Sequence, residues 1–155
     1  MKFLFKSLFI ISSLLLTQQL KAEESYSFGV GLGATYSGLG VNMSMLSDSD
    51  MKYLAVGCLG YSGYSGYSCG AGLGWIKTDL FNPKSNKHGL GVYLGAVGTE
   101  RTSKGSEVIS GVGLGYYYFL NGIADGGTNL GLTLVTGNGK YRSGTGVLLQ
   151  LGYQF

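Results

Sequence analysis

From Tyr26 onward the chain repeats with a period of two. In "YSFGVGLGATY", Tyr26, Phe28, Val30, Leu32, Ala34 and Tyr36 share one face, and Ser27, Gly29, Gly31, Gly33 and Thr35 share the other. Successive side chains of a strand point to opposite sides, whereas a helix repeats every 3.6 residues. The same alternation returns in "LGVNMSM" (39–45), "CGAGLGW" (69–75), "GLGVYLGAV" (89–97), "SGVGLGYYYF" (110–119), "TNLGLTLVT" (128–136) and "GVLLQLGYQF" (146–155). "KYLAVGCLG" (52–60) is less regular, but Leu54, Val56 and Cys58 share a face. The pattern predicts eight strands and no helix after Ala22.

The breaks between strands carry turn chemistry. They are "YSG" near 37, "SDSD" 47–50, "YSGYSGYS" 61–68, "FNPKSNK" 81–87, "TERTSKGSE" 99–107, "NGIADGG" 121–127 and "GNGKYRS" 137–143. Nearly all charges after Ala22 lie in or beside them. A soluble sheet buries one face and shows water a polar, often charged one. Here one face is Leu, Val, Ala and aromatic residues, and the other is mostly Gly with Ser, Thr, Asn, Tyr and Gln. Apolar side chains facing lipid and small neutral ones facing a lumen make the alternation of a membrane barrel. The runs have about the 9–11 residues a tilted membrane strand needs. The expectation is an all-β, eight-stranded antiparallel transmembrane up-and-down β-barrel.

An even strand number puts both barrel ends on one side, the periplasm. Tyr26, Phe28, Trp75, Tyr116, Tyr118, Tyr153 and Phe155 then fall at that interface on the lipid side, as an aromatic girdle. Tyr36 and the tyrosines of "YSGYSGYS" fall at the outer rim. The first 22 residues read as a signal peptide: Lys2 and Lys6, an apolar run from Leu8 to Leu16, then a polar stretch closing on Ala22. That run is too short to span a bilayer as a helix. The division is residues 1–22 as signal and 23–155 as barrel. Without Lys2, Lys6 and Lys21, eight basic residues remain against eight acidic ones, so no nucleic-acid partner is expected.

The chain resembles the small eight-stranded outer-membrane barrels of the OmpX/OmpA and opacity type. The resemblance covers all of 23–155 as architecture, and it rests most on the terminal stripe that ends in a bare aromatic. It implies a bacterial outer-membrane location, with outer-membrane lipid and the barrel-assembly machinery as partners. In that class a C-terminal strand ending in Phe is the assembly signal, here Leu151, Tyr153 and Phe155. Short outer loops and a lumen without charges depart from the pattern and argue against an adhesin-like role.

No constellation for catalysis stands out, and a non-enzymatic protein without cofactor or metal is expected. The Gly-x-Gly units never complete G-x-G-x-x-G and open no helix. "GYSCG" (66–70) matches G-x-S-x-G, but a nucleophile elbow needs a strand, a turn and a helix. The single histidine, His88, is predicted at the end of the barrel opposite Ser68, too far to serve it as a base. Cys58 and Cys69 are different. A hairpin turning between Gly63 and Tyr64 pairs them, together with Val56–Ala71 and Leu54–Leu73. In an oxidising periplasm a disulfide follows, and two free small hydrophobic residues are the alternative.

Inward positions are dominated by glycine, so Tyr93, Tyr117, Asn42, Gln150 and Gln154 are left to fill the lumen. The expectation is a structural barrel with a mostly closed, Gly/Tyr-lined interior. A small neutral pore or small-ligand carrier is the alternative. A secreted Gly-rich β-fibre is a further one, since silk-like and amyloid chains also alternate Gly with Ala, Ser and Tyr.

Overall fold

The computed structural model describes residues 24–62, 66–80, 85–102, 105–141 and 143–155. The predicted signal segment, 1–22, lies outside the described residues. Eight antiparallel strands close into one barrel in chain order. They are β1 (Ser25–Gly33), β2 (Gly38–Leu46), β3 (Asp50–Ser62), β4 (Gly66–Lys77), β5 (His88–Thr102), β6 (Gly105–Phe119), β7 (Gly127–Asn138) and β8 (Ser143–Gln154). The start of β1 and the end of β8 share one end, here called lower. The β1–β2, β3–β4, β5–β6 and β7–β8 turns lie at the upper end.

Every strand pair sets a glycine opposite a glycine. The pairs run Gly152–Gly31, Gly31–Gly40, Gly40–Gly57 and Gly57–Gly70, then step to Gly72–Gly95, Gly95–Gly111, Gly111–Gly137 and Gly137–Gly144. This belt winds around the barrel and returns to β8 above its starting point. It lies on the inward face, so the wall there has bare backbone where other sheets have side chains.

The exterior is the apolar face. Leu54, Val56, Leu73, Val92, Leu94, Val112, Leu114, Leu132, Leu134 and Leu149 are all exposed. At the lower end the exposed set becomes aromatic: Tyr26, Phe28, Trp75, Tyr116, Tyr153 and Phe155. The Tyr153 and Phe155 rings meet edge to face at 5.0 Å. His88 begins β5 among these rings and shares a 2.6 Å hydrogen bond with the Tyr116 hydroxyl.

Three boundaries differ from the sequence expectation, each for a backbone reason. First, β1 stops at Gly33 and does not run on to Tyr36. A single 3-10 turn, Ala34–Tyr36, bends into the barrel, so Tyr36 is fully buried and not at the outer rim. Gly33 and Gly38 flank the turn with φ of 113° and 102°, and Ser37 is left-handed at 54°. These values break the strand twist on both sides of the turn. Second, Ala96 was expected on the apolar outward face with Leu94. A bulge between Ala96 and Gly98 shifts the phase, and Ala96 is buried inside. Third, the polar stretch 99–107 is mostly strand, because β5 runs to Thr102 and β6 begins at Gly105. Above the apolar band a strand can carry polar residues on both faces, so composition alone does not mark its end. Glu100 on this extension is 5% exposed and accepts hydrogen bonds from the backbone N–H of Lys140 and of Tyr141, at 3.1 Å for the latter. It caps the neighbouring β7–β8 turn.

Up to Cys58 the β3–β4 register is the predicted one, Cys58–Cys69, Val56–Ala71 and Leu54–Leu73. A bulge between Cys58 and Gly60 then shifts it by one residue, so Ser62 pairs with Gly66, and the predicted turn at Gly63 and Tyr64 lies outside the described residues. Cys58 and Cys69 form a disulfide across this hairpin. In the chain-entropy account a cross-link 11 residues apart stabilises by somewhat less than the ~3 kcal/mol of a 15-residue loop. Replacing both cysteines with alanine is expected to lower the unfolding free energy in urea by that order while leaving the fold intact. A variant as stable as the oxidised wild type would contradict the staple.

Candidate functional site

The barrel interior is the candidate site, and it has two unlike halves. Inward side chains of the β3–β6 arc are Met51, Tyr53, Ala55, Ile76, Tyr93 and Tyr117, all buried. Inward side chains of the β7–β8–β1–β2 arc include Asn129, Thr133, Gln150, Gln154, Ser27, Asn42 and Ser44, also buried, with Val135 and Leu46 as buried apolar neighbours. One half is apolar and aromatic, and the other is mostly polar and uncharged.

Four tyrosine rings lie directly on glycines. A Cβ built on Gly31 or Gly152 would collide with the Tyr36 ring, one on Gly72 or Gly95 with Tyr93, one on Gly74 with Tyr53, and one on Gly115 or Gly131 with Tyr117. The missing side chains are what make room for the rings. Each ring is tied by its hydroxyl or by packing. Tyr93 Oη donates to the Ala96 carbonyl at 2.9 Å and shares a 3.2 Å bond with Ser37 Oγ. Tyr117 Oη and Thr133 Oγ1 are 3.0 Å apart, joining the two halves of the lumen.

The polar half is one network. Asn129 Nδ2 donates to Tyr36 Oη at 2.8 Å, and Gln150 Nε2 donates to Asn129 Oδ1 at 3.0 Å. Gln150 Oε1 accepts from the Thr35 N–H at 3.2 Å, and Asn42 Nδ2 donates to the Thr35 carbonyl at 3.0 Å. Lower down, Gln154 Nε2 faces three oxygens: Ser44 Oγ at 2.7 Å, Ser27 Oγ at 2.9 Å and Asn42 Oδ1 at 3.1 Å. An amide has two hydrogens, so these three acceptors compete. Gln154 Oε1, on the same amide, has no partner.

This network also closes the barrel. The β1–β8 ladder is only four residues long, Gly29–Leu32 against Leu151–Gln154. Ser27 Oγ donates to the Phe155 carbonyl at 2.6 Å, and the Phe155 N–H donates to the Phe28 carbonyl at 2.8 Å. So Phe155 is both an exposed aromatic and the last rung of the seam, beside Tyr153 and Leu151, which face outward with it.

The residues singled out for the lumen, Tyr93, Tyr117, Asn42 and Gln150, all sit inside. The sequence reading missed Tyr36, which it placed outside, and Tyr53, which lies in the least regular strand. The signal for Tyr53 is its alternation with Leu54 and Lys52. Among the described residues no group of three or more His, Cys, Asp or Glu lies together as metal ligands. Ser68 and His88 are not brought together. His88 lies beyond Lys77 in the β4–β5 register, nine residues of strand from Ser68, or roughly 30 Å. Compared with known proteins, the chain matches no family model, no curated protein and no solved structure.

Adding volume to this lumen is expected to destabilise it. Leucine at Gly72 would meet the anchored Tyr93 ring, and at Gly113 it would meet Thr133 and Val135, each 2.9 Å from the new Cβ. Each substitution is predicted to cost on the order of 1–3 kcal/mol in chemical denaturation. Gly144, with nothing within 4 Å, serves as the control, and alanine there is expected to be nearly neutral. Equal stability for all three variants would contradict a packed lumen.

Proposed function

We propose that the chain is an integral barrel of a bacterial outer membrane with a structural, non-enzymatic role. The observation that carries this reading is the inverted distribution of polarity. The buried interior holds Asn, Gln, Ser, Thr and Tyr beside a few apolar residues such as Met51 and Ile76, while the exposed exterior is Leu and Val with aromatic residues at its lower end. Water would penalise that exterior, and lipid would favour it. Backbone groups of a membrane span must find partners within the protein, and the closed barrel supplies them except along the upper edge of β8, where the ladder to β1 stops at Leu151. No helix among the described residues is long and apolar enough to cross a membrane, so a crossing made by these residues uses strands.

Four points extend the reading. Outer-membrane lipid is the surrounding partner. The terminal stripe of Leu151, Tyr153 and Phe155 addresses the barrel-assembly machinery, as the resemblance implies. The packed lumen, lined mostly by neutral side chains, passes no steady ion current. A closed barrel favours this reading over a fibre, which needs flat sheets stacked face to face.

The test is made in cells and on gels. The protein is expected in the outer-membrane fraction, migrating faster when unheated than when boiled. Deleting Phe155 removes the last rung and the terminal aromatic, and the outer-membrane yield should fall severalfold. A soluble wild-type protein without heat-dependent migration would contradict the membrane reading. Undiminished yield from the deletion would contradict the assembly role.

A further inference from the structure

The β1–β2 turn carries two conflicting instructions. Its sequence continues the strand alternation through Ala34 and Tyr36, which would place both on the outward face. Its backbone leaves the ladder at Gly33, turns inward and rejoins at Gly38. Meanwhile β8 runs up to Ser143, but its pairing with β1 stops at Leu32–Leu151. Above that point, among the described residues, β8 makes ladder pairs only with β7. An extended β1 would find a free strand edge waiting beside it.

The inward placement closes something specific. The Tyr36 ring crosses the glycines of the seam, Gly31 and Gly152, and its hydroxyl meets Asn129. Below it stands the neutral polar column of Asn42, Gln154, Ser27 and Ser44, which leads to the lower end. Three further hydrogen bonds hold the turn: Thr35 N–H to Gln150, Asn42 to the Thr35 carbonyl, and Ser37 Oγ with Tyr93 Oη. All four are bonds between uncharged groups, the weak class of hydrogen bond. Ladder bonds between an extended β1 and the free edge of β8 would offset their loss.

Building on the membrane reading, we propose that the Ala34–Ser37 turn is a movable plug. Moved outward, it uncovers the polar β7–β8–β1–β2 side of the lumen to water and small uncharged solutes. Two states of similar energy interconvert, and the inward one predominates. The lining selects by charge. Amides and hydroxyls replace the hydrogen bonds of a small neutral solute, but Ser27, Asn42, Ser44 and Gln154 offer no charge to compensate the desolvation of an ion, and the buried carboxylate of Glu100 is engaged by the β7–β8 turn.

The test uses the full chain reconstituted in phospholipid vesicles, with glycerol and urea as probes. Removing the ring in Tyr36→Ala leaves a polar, roomy void that water can occupy. Osmotic swelling in glycerol and urea should rise severalfold over wild type, with no matching rise in potassium current. Tyr36→Phe keeps the ring and is expected to stay closed. Amide exchange in wild-type protein reports the motion itself, and Thr35 and Tyr36 should exchange faster than the ladder amides of Val41 and Val56. The plug is overturned if Tyr36→Ala swells no faster than wild type, or if Tyr36→Phe leaks equally. It is also overturned if the turn amides are as protected as the ladder. Flotation with the vesicles is scored separately. Protein that never floats overturns the membrane reading, and the plug with it. Protein that floats but stays sealed overturns the plug alone.

Discussion

Tyrosine rings resting on glycine backbone determine how this barrel is filled. An eight-stranded barrel has an interior only about as wide as the side chains that occupy it. Ordinary side chains from every strand would crowd that space. Here the belt from Gly152 through Gly31, Gly40 and Gly57 to Gly70, and from Gly72 onward to Gly144, removes them. Tyr36, Tyr53, Tyr93 and Tyr117 take the vacated volume. Two glycines and one ring do the work of three medium side chains. They also leave hydroxyls to be satisfied: Asn129, Thr133 and the Ala96 carbonyl partner those of Tyr36, Tyr117 and Tyr93, while the buried Tyr53 hydroxyl has no hydrogen-bond partner among the described residues. The polar half of the lumen follows from the same choice, because buried hydroxyls need buried partners.

The seam between β1 and β8 is the weakest part of the wall, with its four-residue ladder. Side chains reinforce it from inside. Gln154 reaches Ser27, Asn42 and Ser44, Gln150 reaches Asn129 and the Thr35 N–H, and Ser27 holds the terminal carbonyl. At roughly 1 kcal/mol net for a typical hydrogen bond, such a cluster is comparable with the missing ladder. It uses neutral groups throughout. A buried ion pair would be strongly penalised if either partner were lost, whereas an amide network tolerates rearrangement. That tolerance lets one turn be held inward without being locked.

Much of the architecture could be read from the residues, because a period of two leaves little choice. The strand number, the outward face and the Cys58–Cys69 register all follow from alternation and the centre of one hairpin. The misses have a common cause. Tyr36 and Ala96 lie where the backbone departs from the pleat, at a positive-φ turn and at a bulge, while their side-chain pattern does not change. Glu100 looked like a loop charge because the alternation fades above the apolar band, yet its strand continues to Thr102. Glycine facing glycine around the whole barrel is invisible until the register between strands is known. The alternation of glycine within each strand was plain from the start.

Depth-resolved spin labelling along β6 tests the central claim most directly. Single cysteines at Val112, Gly113, Leu114, Gly115 and Tyr116 would carry a nitroxide in vesicle-reconstituted protein, with the Cys58–Cys69 pair kept oxidised. The account predicts a period-two profile. Labels at 112, 114 and 116 should collide freely with oxygen and poorly with a water-soluble nickel chelate, and labels at 113 and 115 should be shielded from both or block folding. High nickel accessibility at 112 and 114, equal to that of a soluble protein surface, would contradict it.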